Sequence, residues 1–428
     1  MGPGSHFQKV NPAPFTLGGE CVAIGVVEWA QLLIPASLKF PNLPAQVYLD
    51  NADFSALTDP KRDAEWRAHS IARLKSGVSN GTIQCRFSAV HIIEGSPATL
   101  EVIDPGIRRL RLVRELCGRH ALRYLFDLAT IELRAWARNA HLAPEVVHAD
   151  DGRWMPGLDD FASDLEREKQ EFIEQMKLLP RAQRRKILTK DGSGVNLPTG
   201  REDAARQARE LANKFPGFER CLDIFRRFYA GQCSAQAVED AFLRPLADPE
   251  EFAAVYLANF ERMEKLLAWM RELGAKNVET FTALRNNLWS AVPEWTNDYR
   301  SAEAEKYYQD FREGMLCARN ERIVSALIGE NSGFRPFPSS EVAAKSAPTY
   351  FCFAEAFMTV ISRSLLPPEH PRKLKRSDFG DMSHAAYIPH VDYFRCDAAM
   401  TNYFRELGQR FGTIIVPSLD ELFERVGL

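Results

Sequence analysis

The stretch Arg376-Ser-Asp-Phe-Gly-Asp-Met-Ser-His-Ala-Ala-Tyr387, continued by Ile388-Pro-His-Val-Asp-Tyr-Phe-Arg-Cys-Asp397, decides how the rest of the chain is read. It gathers Asp378, Asp381, Asp392 and Asp397 into a short span. Asp381, Met382, His384 and Ala385 stand at one-, three- and four-residue steps. That spacing predicts a helix start, with Ser377 or Asp378 as N-cap. Asp381 and His384 then share one face. Val391 to Cys396 predicts a short strand bounded by polar residues. A strand ending at Asp397 delivers a carboxylate to a sheet edge, where α/β proteins place their ligands. Two carboxylates arriving from a helix and a strand end can share a divalent cation, so the question becomes where the chain brings more acid.

The chain has 428 residues, enough for two or three domains, and 45% of them are hydrophobic. Its formal net charge of -3 does not mark it as a nucleic-acid binder, so any such surface is local. The eight cysteines form no CxxC pair. Reduced cytoplasmic thiols are expected, with neither a zinc ribbon nor a disulfide framework. No apolar run reaches transmembrane length, and Val22 to Pro35 carries Glu28 and Gln31 without a basic leader. Met1-Gly-Pro-Gly-Ser5 reads as an expression remnant and takes no part in the fold reading.

Residues 6–45 are Pro-rich, with Cys21 to Trp29 a candidate strand. Gln46-Val-Tyr-Leu-Asp50 reads as a buried parallel strand ending in an acid. Thr58-Asp-Pro60 predicts a helix start running to about Lys75, closed by Gly77 and Asn80-Gly81. Thr82 to Phe87 alternates as a second strand. Ser88 caps a short helix, Ala89 to Glu94, which carries His91 and Glu94. An arginine-rich helix follows, and then a helical pattern from Ala121 to Ala140.

From about Asp150 to Glu341 helical periodicity dominates: Phe161–Leu179, Glu202–Phe215, Phe218–Tyr229, Ala235–Phe242, Pro249–Leu273, Val278–Ala291 and Ser301–Ile328. Thr349 to Ser364 is an apolar helix. After Asp397 a helix runs to about Gln409, Thr413 to Val416 is a last strand, and Ser418-Leu-Asp-Glu421 is a capping box. The α/β signal thus occupies both ends. The expected organisation is an N-terminal extension (1–43), the two parts of one parallel α/β domain (44–145 and 350–428), and an all-helical insertion between them (146–349). A long insertion is tolerated because closing a longer loop costs little extra.

Four acids fall at corresponding places. Asp50 ends the first strand, Glu94 lies on the helix after the second, Asp381 begins the late helix, and Asp397 ends the late strand. If the strands are parallel neighbours, the acids converge at one end of the sheet. Such a cluster favours a cation, and oxygen-only donors select Mg²⁺ or Mn²⁺. The natural chemistry is phosphodiester hydrolysis.

Tyr48-Leu-Asp50, Phe87-Ser88 with His91-Ile-Ile-Glu94, Asp381 with His384-Ala-Ala-Tyr387, and Arg395-Cys-Asp397 resemble the four acidic landmarks of the PIN-domain nucleases. Thr413 to Glu421 resembles that family's final strand and closing helix. The resemblance covers the two end segments, less than half of the chain. It implies a PIN-like parallel sheet sandwiched by helices. It makes Asp50, Glu94, Asp381 and Asp397 catalytic metal ligands, with Asp378 and His384 as accessory groups. It implies an endoribonuclease acting on single-stranded RNA, with a toxin or defence role, and the large insertion departs from the family's compact pattern. Arg372, Lys373, Lys375 and Arg376 adjoin the acids and are the expected phosphate-positioning patch. The helical block leaves room for a regulatory protein partner and for a homo-oligomer. A PIN-like scaffold without catalysis, working as a protein or RNA binding module through its helices, is the alternative. A phosphotransferase is a weaker one, since Asp50-Asn-Ala-Asp53 is one residue too long for a DxD pair. Asp392 is expected to pair with a cation or face solvent, Asp53 to belong to a turn, and His91 to be a structural hydrogen-bonder.

Overall fold

The first strand forms at the short apolar run that the sequence places before Asp50. In the computed structural model of the chain, β1 covers Ala45–Tyr48. Residues 43–97, 103–155, 161–189, 194–195, 221–258, 302–330, 332–365, 375 and 377–428 are described, with isolated positions between 260 and 283. Val47, Tyr48 and Leu49 are fully buried, as a run apolar on both faces requires in the interior of a parallel sheet.

Asp50 ends β1 and at once caps α1 (Asn51–Thr58), forming a capping box with Asp53. The helix expected from Thr58 to about Lys75 starts later, at Ala64, and α1 before it was not expected. α2 (Ala64–Ser79) begins at Asp63, whose carboxylate accepts the Trp66 N–H, and Pro60 lies in the turn between them. Gly77 does not close α2. It lies inside the helix, where a Cβ would stand 2.7 Å from the Leu428 side chain. The exit is made by Gly81 at φ +73.

β2 (Ile83–Arg86) and α3 (Ala89–Gly95) follow, then α4 (Ile103–Cys117) and α5 (Leu125–Ala137). The helix expected from Ala121 starts at Leu125 instead. Ala121 pairs in parallel with Phe87 and is fully buried, so it extends the sheet edge beyond β2.

The middle of the chain is helical: α6 (Phe161–Lys177), α7 (Arg181–Ile187), α8 (Leu222–Tyr229), α9 (Ala235–Leu246), α10 (Pro249–Ala258), α11 (Ala302–Leu316), α12 (Glu321–Ile328) and α13 (Ser340–Ser346). The helix expected over Ser301 to Ile328 is split. Ala318 adopts φ +53, and the Asn320 side chain accepts the Arg322 and Ile323 N–H groups to start a new helix. The candidate strand Cys21–Trp29, the pattern Glu202–Phe215 and most of Val278–Ala291 lie outside the described residues.

α14 (Pro348–Leu365), α15 (Ser377–Ala385), β3 (Tyr393–Arg395), α16 (Ala398–Phe411), β4 (Ile414–Val416) and α17 (Leu419–Val426) complete the chain. The strands form one sheet in the order β2-β1-β3-β4, with every pair parallel. The fold is mixed α/β, mostly helical, around this small sheet. The helical stretch shares its core: Trp154, Leu246, Phe252 and Tyr256 pack with Phe87 and Leu110 in one apolar cluster. On the arginine-rich α4, Arg111 and Arg114 pair with Glu250 of α10 at 3.9 and 3.4 Å. The described cysteines are all unbridged. No described helix is long and apolar enough to cross a membrane.

β1 and β3 come from opposite ends of the chain, and Asp392 joins them. Its N–H donates to the Gln46 carbonyl at 2.9 Å, and its own carbonyl accepts from Ile414 at 2.9 Å. Its carboxylate accepts the Gln46 N–H at 2.8 Å, across 346 positions of sequence. Asp392 thus serves the sheet rather than simply facing solvent. Asp392→Ala strands the Gln46 N–H and is expected to destabilise the fold by about 1–3 kcal/mol, read as a lower urea midpoint. Asp392→Asn keeps an acceptor oxygen and is expected to lose clearly less.

Candidate active site

The strand order creates a natural cleft. β1 runs on to β2 on one side, whereas β3 runs on to β4 on the other. The connections leave the β1/β3 boundary in opposite directions, which is the switch point where open parallel sheets bind ligands beyond their carboxyl ends. Asp50 and Asp397 sit just past the ends of these two strands.

Each of these carboxylates also starts a helix. Asp50 Oδ1 accepts the Ala52 N–H at 3.1 Å, and exposed Asp397 accepts the Met400 N–H at 2.7 Å as N-cap of α16. Glu94 projects from α3 and meets His384 of α15, with Oε2 3.3 Å from Nε2. Its other oxygen lies against α15 at Gly380, where a Cβ would come within 1.9 Å of Glu94 Oε1. Only glycine admits the carboxylate there.

Asp381 is not the start of the late helix, as the spacing suggested. α15 begins earlier, at Ser377, and buried Asp378 occupies its first turn. The Asp378 carboxylate reaches back to accept the Lys375 N–H at 2.8 Å, a structural clasp at the helix entry. Asp381 is therefore mid-helix and half-buried. It makes no hydrogen bond or ion pair among the described residues. Burial pushes its carboxyl up to about 7; His384 opposes the rise, and Asp50, Glu94 and Asp397 add to it. All four predicted acids thus act on one locus. A cavity of about 10 Å³, the room of one water molecule, lies between Asp50, Asp381, His384 and Arg395.

A buried polar chain supports the locus. Ser88 N–H donates to His91 Nδ1 at 3.1 Å, so His91 Nε2 carries the proton and donates to the Leu49 carbonyl at 2.7 Å. Burial, with His384 nearby, holds the His91 pKa well below normal, so the ring is neutral. The Tyr48 hydroxyl lies 2.7 Å from both Ser88 Oγ and His384 Nδ1. Burial disfavours the charged form of His384. The hydrogen bond and charge of Glu94, with Asp50 and Asp381, outweigh it and raise the pKa. A protonated ring donates at both nitrogens, to Tyr48 and to Glu94.

Two groups at the locus were not expected from sequence. Asp53 is buried rather than a surface turn residue. It accepts the Asp50 N–H at 3.1 Å and pairs with Arg395 at 2.8 Å. Burial pushes its carboxyl up to about 7 against the pull of Arg395. Arg395, from β3, also approaches Asp50 at 3.6 Å. The signal was available: Arg395 stands two residues before Asp397, so the strand's alternation puts both on one face. Of the expected basic patch, Lys375 is exposed, and Arg372, Lys373 and Arg376 lie outside the described residues.

The donor chemistry suits a hard divalent ion. The four acids offer only oxygen, and Asp381 is raised first by burial and then by the other three carboxylates. Their spacing is wider than coordination needs: among the described residues, no group of three or more His, Cys, Asp or Glu side chains stands ready to hold an ion. No family model, no curated protein and no solved structure matches the chain.

Two outcomes follow from this geometry. The native state keeps a proton on Asp381 up to about pH 7, whereas the unfolded chain releases it near 4. The stabilisation is complete below the unfolded value and is lost as pH rises through the folded one. Asp381→Asn is therefore expected to raise the melting temperature at pH 8 by about 2 °C or more and to change it little at pH 4. Gly380→Ala favours the helix intrinsically by about 1 kcal/mol but displaces Glu94. In an NMR titration the His384 ring is then expected to titrate at lower pH than in the unsubstituted protein, as it does in Glu94→Gln.

Proposed function

We propose that this chain is a metal-dependent nuclease of PIN-like design, hydrolysing phosphodiester bonds, with single-stranded RNA as its preferred substrate. The observation that carries the reading is Asp381: a half-buried carboxylate without a partner among the described residues, raised to about 7 by burial and by three further carboxylates near the sheet's switch point. Unpaired, perturbed acids in a cleft mark functional sites more than structural ones. The preference for RNA rests on the resemblance of the acidic landmarks.

In this reading Asp50, Glu94, Asp381 and Asp397 hold Mg²⁺ or Mn²⁺. The ion supplies an activated water and offsets charge on the phosphate. The protein's own groups prepare that arrangement. Asp50 and Asp397 are fixed as helix caps. His384, anchored by Tyr48, restrains Glu94 through Nε2. Asp381 would have to be deprotonated to serve as a ligand. The acids must also draw closer than their resting spacing. That spacing favours a second reading, a PIN-like scaffold without catalysis that binds RNA or protein through its helical region.

The test is cleavage of labelled single-stranded RNA and DNA with Mn²⁺, Mg²⁺ or EDTA. Metal-dependent cutting is expected, falling at least roughly a hundredfold in both Asp50→Asn and Asp381→Asn. Absence of cutting by the unsubstituted protein with either metal supports the scaffold.

A further inference from the structure

We infer that Arg395 grips a phosphodiester group of bound nucleic acid, held in place for that task by Asp53. The inference deepens the nuclease reading and rests on it. Arg395 stands on β3 at the switch point and lines the same cavity as Asp50, Asp381 and His384. Its Nη2 is anchored to Asp53 Oδ1 at 2.8 Å. Its Nε and Nη1 are buried and have no hydrogen-bond partner among the described residues, Nη1 lying 3.6 Å from Asp50 Oδ2.

A guanidinium carries five N–H donors in a rigid plane. An arginine serving only to neutralise Asp50 and Asp53 would turn its donors onto their oxygens, because a buried unsatisfied donor is costly. Here Nη2 is anchored, Nη1 meets Asp50 only as an ion pair at 3.6 Å, and neither Nη1 nor Nε makes a hydrogen bond among the described residues. That arrangement presets the orientation and leaves donors for an anion, and guanidinium geometry matches phosphate oxygens. The cavity takes one oxygen-sized atom, which fits a single phosphoryl oxygen and not a base or a sugar. Arg395 also places a positive charge among carboxylates that would otherwise repel the substrate.

The experiment uses the full chain in three forms: unsubstituted, Arg395→Gln, and the double variant Asp53→Asn/Arg395→Gln. The double variant removes the buried pair together, so it keeps the test valid if Arg395→Gln alone fails to fold. Binding of a labelled single-stranded RNA is read by anisotropy in Ca²⁺, cleavage in Mn²⁺, and Mn²⁺ binding alone by thermal shift. The expected result is RNA affinity weakened about tenfold and cleavage slowed about a hundredfold in whichever variants fold, with Mn²⁺ affinity unchanged or tighter. Folded variants that bind and cut RNA within twofold of the unsubstituted protein overturn the assignment, as does an unsubstituted protein that binds no RNA. If the unsubstituted protein binds RNA without cutting it, the nuclease reading fails by itself. The binding comparison then still decides whether Arg395 is the phosphate contact.

Discussion

The parallel pairing of β1 with β3 is the constraint on which the rest depends. It joins segments more than three hundred positions apart, and Asp392 fixes its register through its backbone and its carboxylate at once. Because β1 continues to β2 on one side and β3 to β4 on the other, the same pairing opens the cleft at the sheet's carboxyl end. Without that one contact Asp50 and Asp397 would belong to unrelated parts of the molecule.

Pairing these strands concentrates negative charge, and the surroundings show how the chain accommodates it. Helix N-termini take up Asp50 and Asp397, whose carboxylates accept backbone N–H groups. Arg395 and Asp53 form a buried pair beside Asp50. His384, backed by Tyr48 and Ser88, receives Glu94. Asp381 is left without such a partner and holds a proton instead. A fold built only for stability gains nothing from an acid left there without a partner among the described residues.

Several elements were legible because local rules governed them. The run Val47-Tyr-Leu49 could only be a strand buried on both faces, and Ser88, Asp397 and Ser418 announce helix starts by residue type. Other elements were decided by contacts the local pattern does not contain. Ala121 pairs with Phe87 instead of joining its expected helix, and Gly77 lies inside a helix with Leu428 packed against it. The N-cap expected at Ser377 or Asp378 lies within a residue of the helix start at Ser377, whereas the Asp378 clasp on the Lys375 N–H is a contact the pattern does not contain.

The sequence by itself determined the alternation of strands and helices at both ends of the chain, the helical character between them, and the acid after each key strand. These follow from periodicity and capping, which act over a few residues. Packing in three dimensions set the burial of Asp53, the place of Arg395 between Asp50 and Asp53, the room that Gly380 leaves for Glu94, and the lack of a partner for the Asp381 side chain among the described residues. Those outcomes depend on which side chains meet across the β1/β3 boundary and on how much water the packing excludes, and neither is encoded in the spacing of residues along one strand or helix.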